Sequence, residues 1–154
     1  MAEKYCDTEI LEHAISREVD AYYFYMAIAE HVEDPEMSKV LREFAAEEID
    51  HKKKLELELL KVGHTIPVDP ELPKPTRDNY IISNTDKPLD MEYIDILLLA
   101  IEKEKASFRT YIELLATVHD PQSREVLLEI AEEEVKHKMR FEIEYGLLTK
   151  NHEQ

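Results

Sequence analysis

Two copies of the pattern Glu-x-x-His stand out in the sequence because their side chains are of types that bind metal ions. Glu48 and His51 form one copy, and Glu134 and His137 form the other. Residues three positions apart share a face of an α-helix, so each pair can present a carboxylate and an imidazole to one ion. The pattern alone is weak evidence, because the same spacing on a solvated helix face is ordinary charge patterning.

The apolar residues around these pairs predict that both lie on buried helix faces. Alternating steps of three and four residues trace an apolar stripe along each of four segments. Each stripe is interrupted near its middle, by one glutamate in the first and third segments and by Glu-x-x-His in the second and fourth. We therefore predict six inward-facing polar side chains at similar depth: Glu18, Glu48, His51, Glu104, Glu134 and His137.

Four carboxylates buried together would repel one another and would lose their hydration. No lysine or arginine lies on the stripes to neutralise them, whereas two divalent cations would balance their four negative charges. One glutamate from each of two helices, with Glu-x-x-His from each of the other two, is the ligand set of di-iron and di-manganese carboxylate bundles. Oxygen and imidazole ligands suit iron, manganese or a mixed pair. We predict two metal ions, and the ligand set by itself leaves iron and manganese open.

An internal duplication supports the same arrangement. Shifting the chain by 86 residues aligns 14–58 with 100–144, and 17 of the 45 aligned positions are identical. The identical pairs include Glu18 with Glu104, and both members of the two Glu-x-x-His motifs. Duplication predicts a bundle with approximate two-fold symmetry.

Proline and glycine positions outline the elements that must hold these residues. Asp34-Pro35 and Asp120-Pro121 are helix starts, with aspartate as the N-cap. Five of the seven prolines lie between Gly63 and Asp90, which predicts one long connection there. We predict an all-α fold in a single domain over 1–154, a four-helix bundle of two antiparallel hairpins. The predicted helices are 8–33, 35–62, 90–119 and 121–145, with hairpins at 8–62 and 90–146 and a crossover connection at 63–89. The two glycines, Gly63 and Gly146, are interpreted as helix stops.

Other side chains carry weaker signals. Tyr25 and Tyr111 lie two turns from Glu18 and Glu104 on the same stripes, so their hydroxyls either reach the site or bond elsewhere in the core. Glu47 and Glu133 recur in the repeat but face about 100° away from the metal-binding stripe, which favours plain surface charge over a supporting role. The remaining histidines and the single cysteine are interpreted as solvated bystanders: His13, His31, His64, His119, His152 and Cys6.

Composition excludes several function classes. The net charge of −16 disfavours nucleic acid and anionic membrane surfaces as partners. A single cysteine excludes an internal disulfide and any CxxC site. Without a signal-peptide core or a spanning apolar run, the expectation is a cytoplasmic protein.

The segments around the six residues are REVDAYYFY and FAAEEIDH in the first half and EKEKASFRTY and IAEEEVKH in the second. In these segments the sequence resembles the rubrerythrin branch of the ferritin-like di-iron proteins. The resemblance implies that Glu18 and His51 are terminal ligands of one iron and Glu104 and His137 of the other. Glu48 and Glu134 would then bridge the two irons. It also implies reduction of hydrogen peroxide, and a homodimer, in some members formed by exchange of hairpins.

Two departures from the family pattern bear on function. The four-cysteine rubredoxin-type site is missing, so electrons would come from a separate donor protein such as a rubredoxin. A further carboxylate expected one turn after Glu104 is replaced by Ser107, which makes the site resemble a ferroxidase or oxidase centre. Three functions therefore remain open: reduction of peroxide or dioxygen, iron oxidation and handling, and a structural bundle with a vestigial metal site.

Overall fold

The computed structural model of the chain describes residues 6–63 and 92–152, which form four α-helices. The helices are α1 (Asp7–His31), α2 (Pro35–Lys61), α3 (Tyr93–Thr117) and α4 (Pro121–His152). The predicted all-α bundle of two hairpins is confirmed. Among the described helices, none combines the length and the apolar character needed to cross a membrane.

Each hairpin consists of two neighbouring helices joined by a short turn. α1 packs mainly against α2, and α3 packs mainly against α4. The second helix of each hairpin begins as the Asp-Pro pairs predicted. Asp34 Oδ1 accepts a hydrogen bond from the backbone N–H of Glu36 at 3.1 Å, and Asp120 Oδ2 accepts one from Ser123 at 2.9 Å. The proline that follows each cap lacks an N–H at a position where none is needed.

The ends of the helices show why the connection between the hairpins must be long. Leu11 of α1, Leu59 of α2 and Leu115 of α3 share an apolar cluster at one end of the bundle. Leu97, near the start of α3, belongs to a second cluster at the other end. Since α2 ends where α3 also ends, the chain has to travel the length of the bundle between them. The predicted connection itself, 63–89, lies outside the described residues except for Gly63.

The core consists of these two apolar clusters with a polar layer between them. The cluster nearer the hairpin turn of α1 and α2 contains Tyr25, Met37, Leu41 and Phe141. The opposite cluster contains the repeat counterparts of Tyr25, Leu41 and Phe141, which are Tyr111, Leu127 and Leu55. Because apolar side chains close both ends, the polar layer in the middle is sealed from water along the bundle axis.

The two glycines differ in what they do. Gly63 follows α2 with φ +85°, a left-handed conformation that glycine adopts readily, so the predicted stop is confirmed. Gly146 lies inside α4, and the prediction that the helix ends at 145 is wrong. The helix continues because Leu148, beyond the glycine, packs against the core, which offsets the poor helix propensity of one glycine. The other described helix bounds agree with prediction to within one turn.

Candidate metal centre

The six predicted side chains all lie in the polar layer and are almost completely buried. α1 and α3 each contribute one glutamate, and α2 and α4 each contribute a Glu-x-x-His pair one turn long. Their exposed fractions are Glu18 1%, Glu48 0%, His51 3%, Glu104 2%, Glu134 1% and His137 2%. Each helix thus brings its polar residues to the bundle axis at one level, as the stripes predicted.

Their side-chain atoms fall into two groups, each tight enough to hold one metal ion. Glu18, Glu48, His51 and Glu134 offer ligand atoms that all lie within 4.8 Å of one another, and so do Glu104, Glu134 and His137. Glu134 belongs to both groups. This shared carboxylate gives the arrangement the form of a paired site.

Glu48 occupies a similar position between the two histidines. Its Oε1 atom lies 3.5 Å from Nδ1 of His51 and 3.8 Å from Nδ1 of His137. The two glutamates of the Glu-x-x-His motifs therefore lie between the groups, while Glu18 and Glu104 lie at the sides. The bridging and terminal roles that the family resemblance implies stay predictions.

Both imidazole rings direct Nδ1 inward and Nε2 toward a glutamate on the opposite hairpin. His137 Nε2 lies 3.0 Å from Oε1 of Glu47, and His51 Nε2 lies 3.9 Å from Oε1 of Glu133. The hydrogen bond with His137 lowers the pKa of Glu47. The preferred interpretation of Glu47 as plain surface charge is therefore wrong: its side chain is 42% exposed but orients a buried imidazole. Its recurrence in the repeat was the available signal.

The two candidate tyrosines have different environments. The hydroxyl of Tyr111 donates a hydrogen bond to Glu18 Oε2 at 2.5 Å, so this tyrosine reaches the site. Burial, together with the nearby carboxylates, raises the pKa of Tyr111 well above its usual value, which keeps the phenol protonated as a donor. Tyr25 instead places its ring edge-on to His137, with centroids 5.9 Å apart.

Aromatic rings form the wall around His137. The ring of Phe44 stacks on the imidazole at a centroid distance of 4.0 Å, and Phe141 meets Phe44 edge-on at 5.5 Å. The repeat counterpart of Phe44 is Ile130, so His51 has no matching stacked ring at that position. The two halves of the site are thus similar in ligands and different in their walls.

The carboxylates are costly to keep charged in this environment. Burial, and next the charge of Glu134, raise the pKa of Glu48 and of Glu104 well above the usual value. Burial likewise raises the pKa of Glu18, against the opposing hydrogen bond with His51. Burial alone would lower the pKa of His51, but its hydrogen bond with Glu18 and the nearby carboxylate of Glu48 raise it to about 10. Without a cation, the layer retains protons at neutral pH.

Unsatisfied atoms show that this donor set fits metal ions. Among buried side-chain atoms of the described residues, those without a hydrogen-bond partner include both oxygens of Glu48, Oε2 of Glu104, Oε1 of Glu134 and Nδ1 of His137. Such atoms are rare in folded proteins because each costs about 1–3 kcal/mol. Two divalent cations would bind them and balance the four carboxylates. The two buried clusters are consistent with a di-metal site.

Comparison with protein families agrees with this geometry. The rubrerythrin family model matches residues 9–142. This range includes all six candidate ligands, from all four helices. The chain belongs to the rubrerythrin family. No curated protein sequence matches it significantly.

Membership of the rubrerythrin family makes two features of this chain informative. Its single cysteine, Cys6, is exposed and hydrogen-bonds Glu9, so the chain holds no four-cysteine iron site. Ser107 lies beside Glu104 at 9% exposed, where the resemblance implied a further carboxylate.

The remaining predicted bystanders follow expectation where they are described. His13 and His31 are exposed, and His119 is 57% exposed and lies 3.3 Å from Asp7. His64 lies outside the described residues, as does the side chain of His152.

Proposed function

We propose that the chain is a di-iron oxidoreductase that reduces hydrogen peroxide, with dioxygen as an alternative oxidant. The observation that supports this most is the sharing of Glu134 by two buried clusters, several of whose oxygens otherwise lack partners. A shared carboxylate holds two metal ions close enough to act on one small molecule. Membership of the rubrerythrin family supports the same function.

Under this proposal each residue has a defined task. Glu18 and His51 would hold one ion, Glu104 and His137 would hold the other, and Glu48 and Glu134 would serve both. Tyr111 orients Glu18 through its hydrogen bond, and Glu47 orients His137. Phe44 and Tyr25 exclude water from the His137 side. Bound iron would supply redox electrons and Lewis acidity.

The proposed reaction has a simple balance. Reduction of hydrogen peroxide to two water molecules takes two electrons and two protons and breaks the O–O bond; a bound pair of iron ions would supply the two electrons. A separate electron-donor protein would have to return these electrons, because the chain holds no second redox site among its cysteines. A rubredoxin has the required chemistry. We also propose that the chain acts as a homodimer.

Ser107 supports a second candidate function. A serine at this position leaves six ligands and no further carboxylate beside Glu104, so the site resembles a ferroxidase that oxidises Fe(II) with dioxygen. Iron would then be substrate as well as cofactor.

Anaerobic stopped-flow mixing distinguishes the two candidates. The iron-loaded reduced protein is mixed with peroxide or with dioxygen, and the absorbance of the oxidised site is followed. Peroxidase function predicts faster oxidation by peroxide, with no iron consumed beyond two per chain. Faster oxidation by dioxygen, with turnover of added Fe(II), would support the ferroxidase function instead, and no oxidation by either would contradict both.

Ser107→Glu sharpens this comparison, and Ser107→Gln is its matched control. The glutamate adds a negative charge and a new oxygen ligand one turn from Glu104, whereas glutamine has the same size without the charge. We expect Ser107→Glu to raise the ratio of the peroxide rate to the dioxygen rate, and Ser107→Gln to leave it near the wild-type value. Equal ratios in all three proteins would show that the missing carboxylate does not set oxidant preference.

A further inference from the structure

Large apolar side chains are exposed on the outside of the second hairpin. Nine large apolar side chains are exposed in the described part of the chain, and six of them belong to α3 and α4. Each of the six is between 41% and 57% exposed: Leu98, Ile112, Leu128, Met139, Ile143 and Leu147. Apolar groups that are exposed together, unlike single ones, are typical of surfaces that bind another molecule.

These six side chains border one groove between the two helices. Lys105 of α3 and Val135 of α4 line the same cavity in this groove, which identifies the face of each helix that borders it. Residues seven positions apart are almost two full turns apart and share a helix face, and Leu98 and Ile112 lie seven positions before and after Lys105. The stripe of α4 through Val135 contains, at steps of seven or four residues, Leu128, Met139, Ile143 and Leu147. Together the six residues form the α3–α4 face.

The fold does not require apolar residues at these positions, because the first hairpin has few of them. With the 86-residue shift of the repeat, the counterparts of the six residues are Glu12, Met26, Arg42, Lys53, Leu57 and Lys61. Four of these six are charged, so the same backbone surface is compatible with polar side chains. The apolar character of the α3–α4 face therefore needs a reason other than the folding of the bundle.

One end of the α3–α4 face is nearly neutral in a strongly acidic chain. At this end, residues 94–105 of α3 and 136–150 of α4 include six basic and five acidic residues, a net charge of +1, whereas the whole chain carries −16. Three ion pairs border it: Lys105 with Glu102, Lys138 with Glu142, and Arg140 with Glu144. At the opposite end, residues 106–117 and 121–135 include two basic and six acidic residues, a net charge of −4.

This distribution of charge suits contact between two copies in an antiparallel arrangement. Two chains of charge −16 repel each other over most of their surface. A two-fold contact in which the nearly neutral end of one copy lies against the acidic end of the other avoids placing the two acidic ends together. It also covers the apolar residues at both ends, because each copy presents the same face to the other.

The α3–α4 face is large enough for a stable dimer. A helix of 25 residues, the length of α3, is about 37 Å long, and two neighbouring helices are roughly 20 Å wide. The face therefore has an area of roughly 700 Å², which is close to the roughly 800 Å² that each partner buries in a stable interface.

The same face contains an opening to the polar layer. The cavity in the groove between α3 and α4 has a volume of about 300 Å³, and Glu104 and Glu134 are among the residues that line it. A second copy bound on the face would cover this cavity. Dimer formation would then exclude water from one side of two candidate metal ligands.

We propose that the α3–α4 face is the contact surface of an antiparallel, two-fold symmetric dimer of this chain, in which each copy closes the other's cavity beside Glu104 and Glu134. This inference rests on the proposed homodimer and not on the proposed redox reaction. The contact is between identical apolar surfaces, and ion pairs border it at one end of each copy.

Sedimentation equilibrium of the full-length protein tests this proposal. The experiment is done with a reductant present, so that Cys6 cannot link two copies through a disulfide. We expect a dimer at micromolar concentrations, and tighter association at higher salt concentration, because salt screens the repulsion between two acidic chains.

Met139→Lys and Leu128→Arg place on the α3–α4 face the residues that the first hairpin has at the equivalent positions, Lys53 and Arg42. The fold accepts both residue types at those positions, so we expect both variants to fold, which circular dichroism checks. Each should raise the dimer dissociation constant at least tenfold, because a two-fold contact contains each substitution twice and a charge replaces a buried apolar group. The added positive charge by itself would favour association of an acidic chain, so weakening cannot come from net charge.

Leu57→Lys is the matched control. Leu57 and Met139 are both 52% exposed, and the two substitutions make the same change of charge on different hairpins. Leu57→Lys should leave the dissociation constant near the wild-type value. A dimer that Leu57→Lys weakens as much as Met139→Lys does, or that neither Met139→Lys nor Leu128→Arg weakens, would overturn the α3–α4 face as the contact and leave the homodimer standing. A monomeric wild-type protein would overturn both and would indicate that a different protein, or residues 64–91, covers this face.

Discussion

Glu134 is the residue on which the paired character of the site depends most, because it contributes to both clusters. Glu104 contributes only to the second cluster. Removal of Glu134 should therefore affect binding of both metal ions, whereas removal of Glu104 should affect one. The difference arises from position, because Glu134 lies between the two groups and Glu104 lies at one side. It does not arise from burial, since both side chains are almost completely buried.

Replacing these two glutamates by alanine should separate bridging from terminal ligands. We expect Glu134→Ala to abolish binding of both metal ions, and Glu104→Ala to retain one ion per chain. Calorimetric titration of metal-free protein with Fe(II) under anaerobic conditions measures the stoichiometry. Loss of a single ion in both variants would contradict the bridging role of Glu134.

Glu47 tests whether a residue that is not itself a ligand strengthens metal binding. Glu47→Ala removes the hydrogen-bond partner of His137 Nε2, and loss of such a partner typically weakens metal binding 10- to 100-fold. We expect about tenfold here, because the Glu47 side chain is 42% exposed and water can replace it. Glu43→Ala, one turn earlier on the same helix and exposed, is the control. Equal effects of the two substitutions would indicate a general charge effect.

At the residue scale, sequence predicted which side chains enter the core and not how they are oriented there. The phase of the stripes and the repeat were sufficient for the six buried residues. The inward direction of Nδ1, the bond from Tyr111 to Glu18 and the bond of Glu47 depend on rotamers and on the distance between hairpins. The spacing of residues within one helix determines neither the rotamers nor the distance between the hairpins.

At the scale of the elements, the helices begin where Asp-Pro pairs place them, and they end according to packing. Gly63 ends α2 in a left-handed conformation, whereas Gly146 is passed over because Leu148 packs on the core. A glycine in a sequence therefore marks a helix end only when the residues beyond it gain nothing from continuing. The crossover was predictable because proline is excluded from helix interiors.

These two glycines form a matched pair for mutation. Gly146→Ala should stabilise the protein by up to about 1 kcal/mol, because the position is helical and no atom lies within 4 Å of the added Cβ. Gly63→Ala should destabilise it by about 1 kcal/mol, because an L-residue is strained at φ +85°. Urea denaturation measures both changes. Destabilisation by Gly146→Ala would contradict a continuous α4.

At the scale of the whole molecule, two apolar clusters enclose a layer that is unfavourable without cations. Helix packing supplies the stability, and the polar layer reduces it unless metal ions or protons neutralise the carboxylates. Protein without metal should therefore be sensitive to pH in a way that the loaded protein is not.

The direction of this pH dependence follows from the pKa shifts. Folding raises the pKa of Glu48 and Glu104 and raises that of His51 to about 10, so the folded protein binds these protons more tightly than the unfolded chain. The contribution of these groups to stability is therefore largest in acid and is lost as the pH rises from about 4.5 toward 10. We expect chelator-treated protein to melt at a lower temperature at pH 8 than at pH 5.5.

A pair of variants separates this effect from the overall negative charge. Glu48→Gln removes one buried ionisation and should flatten the pH dependence of the melting temperature. Glu102→Gln removes an exposed carboxylate, which is 66% exposed, and should leave the dependence unchanged. If the melting temperatures of both variants changed with pH in the same way, the pH dependence would come from net charge alone.

Metal content measures most directly whether the buried layer is a paired metal site. The protein is produced in iron-supplemented medium, purified without added metal, and analysed for iron, manganese and zinc per chain. We expect two metal ions per wild-type chain, with iron predominant, and none in Glu134→Ala. A well-folded wild-type protein that holds no metal, and does not take up Fe(II) when it is supplied anaerobically, would contradict a paired metal site.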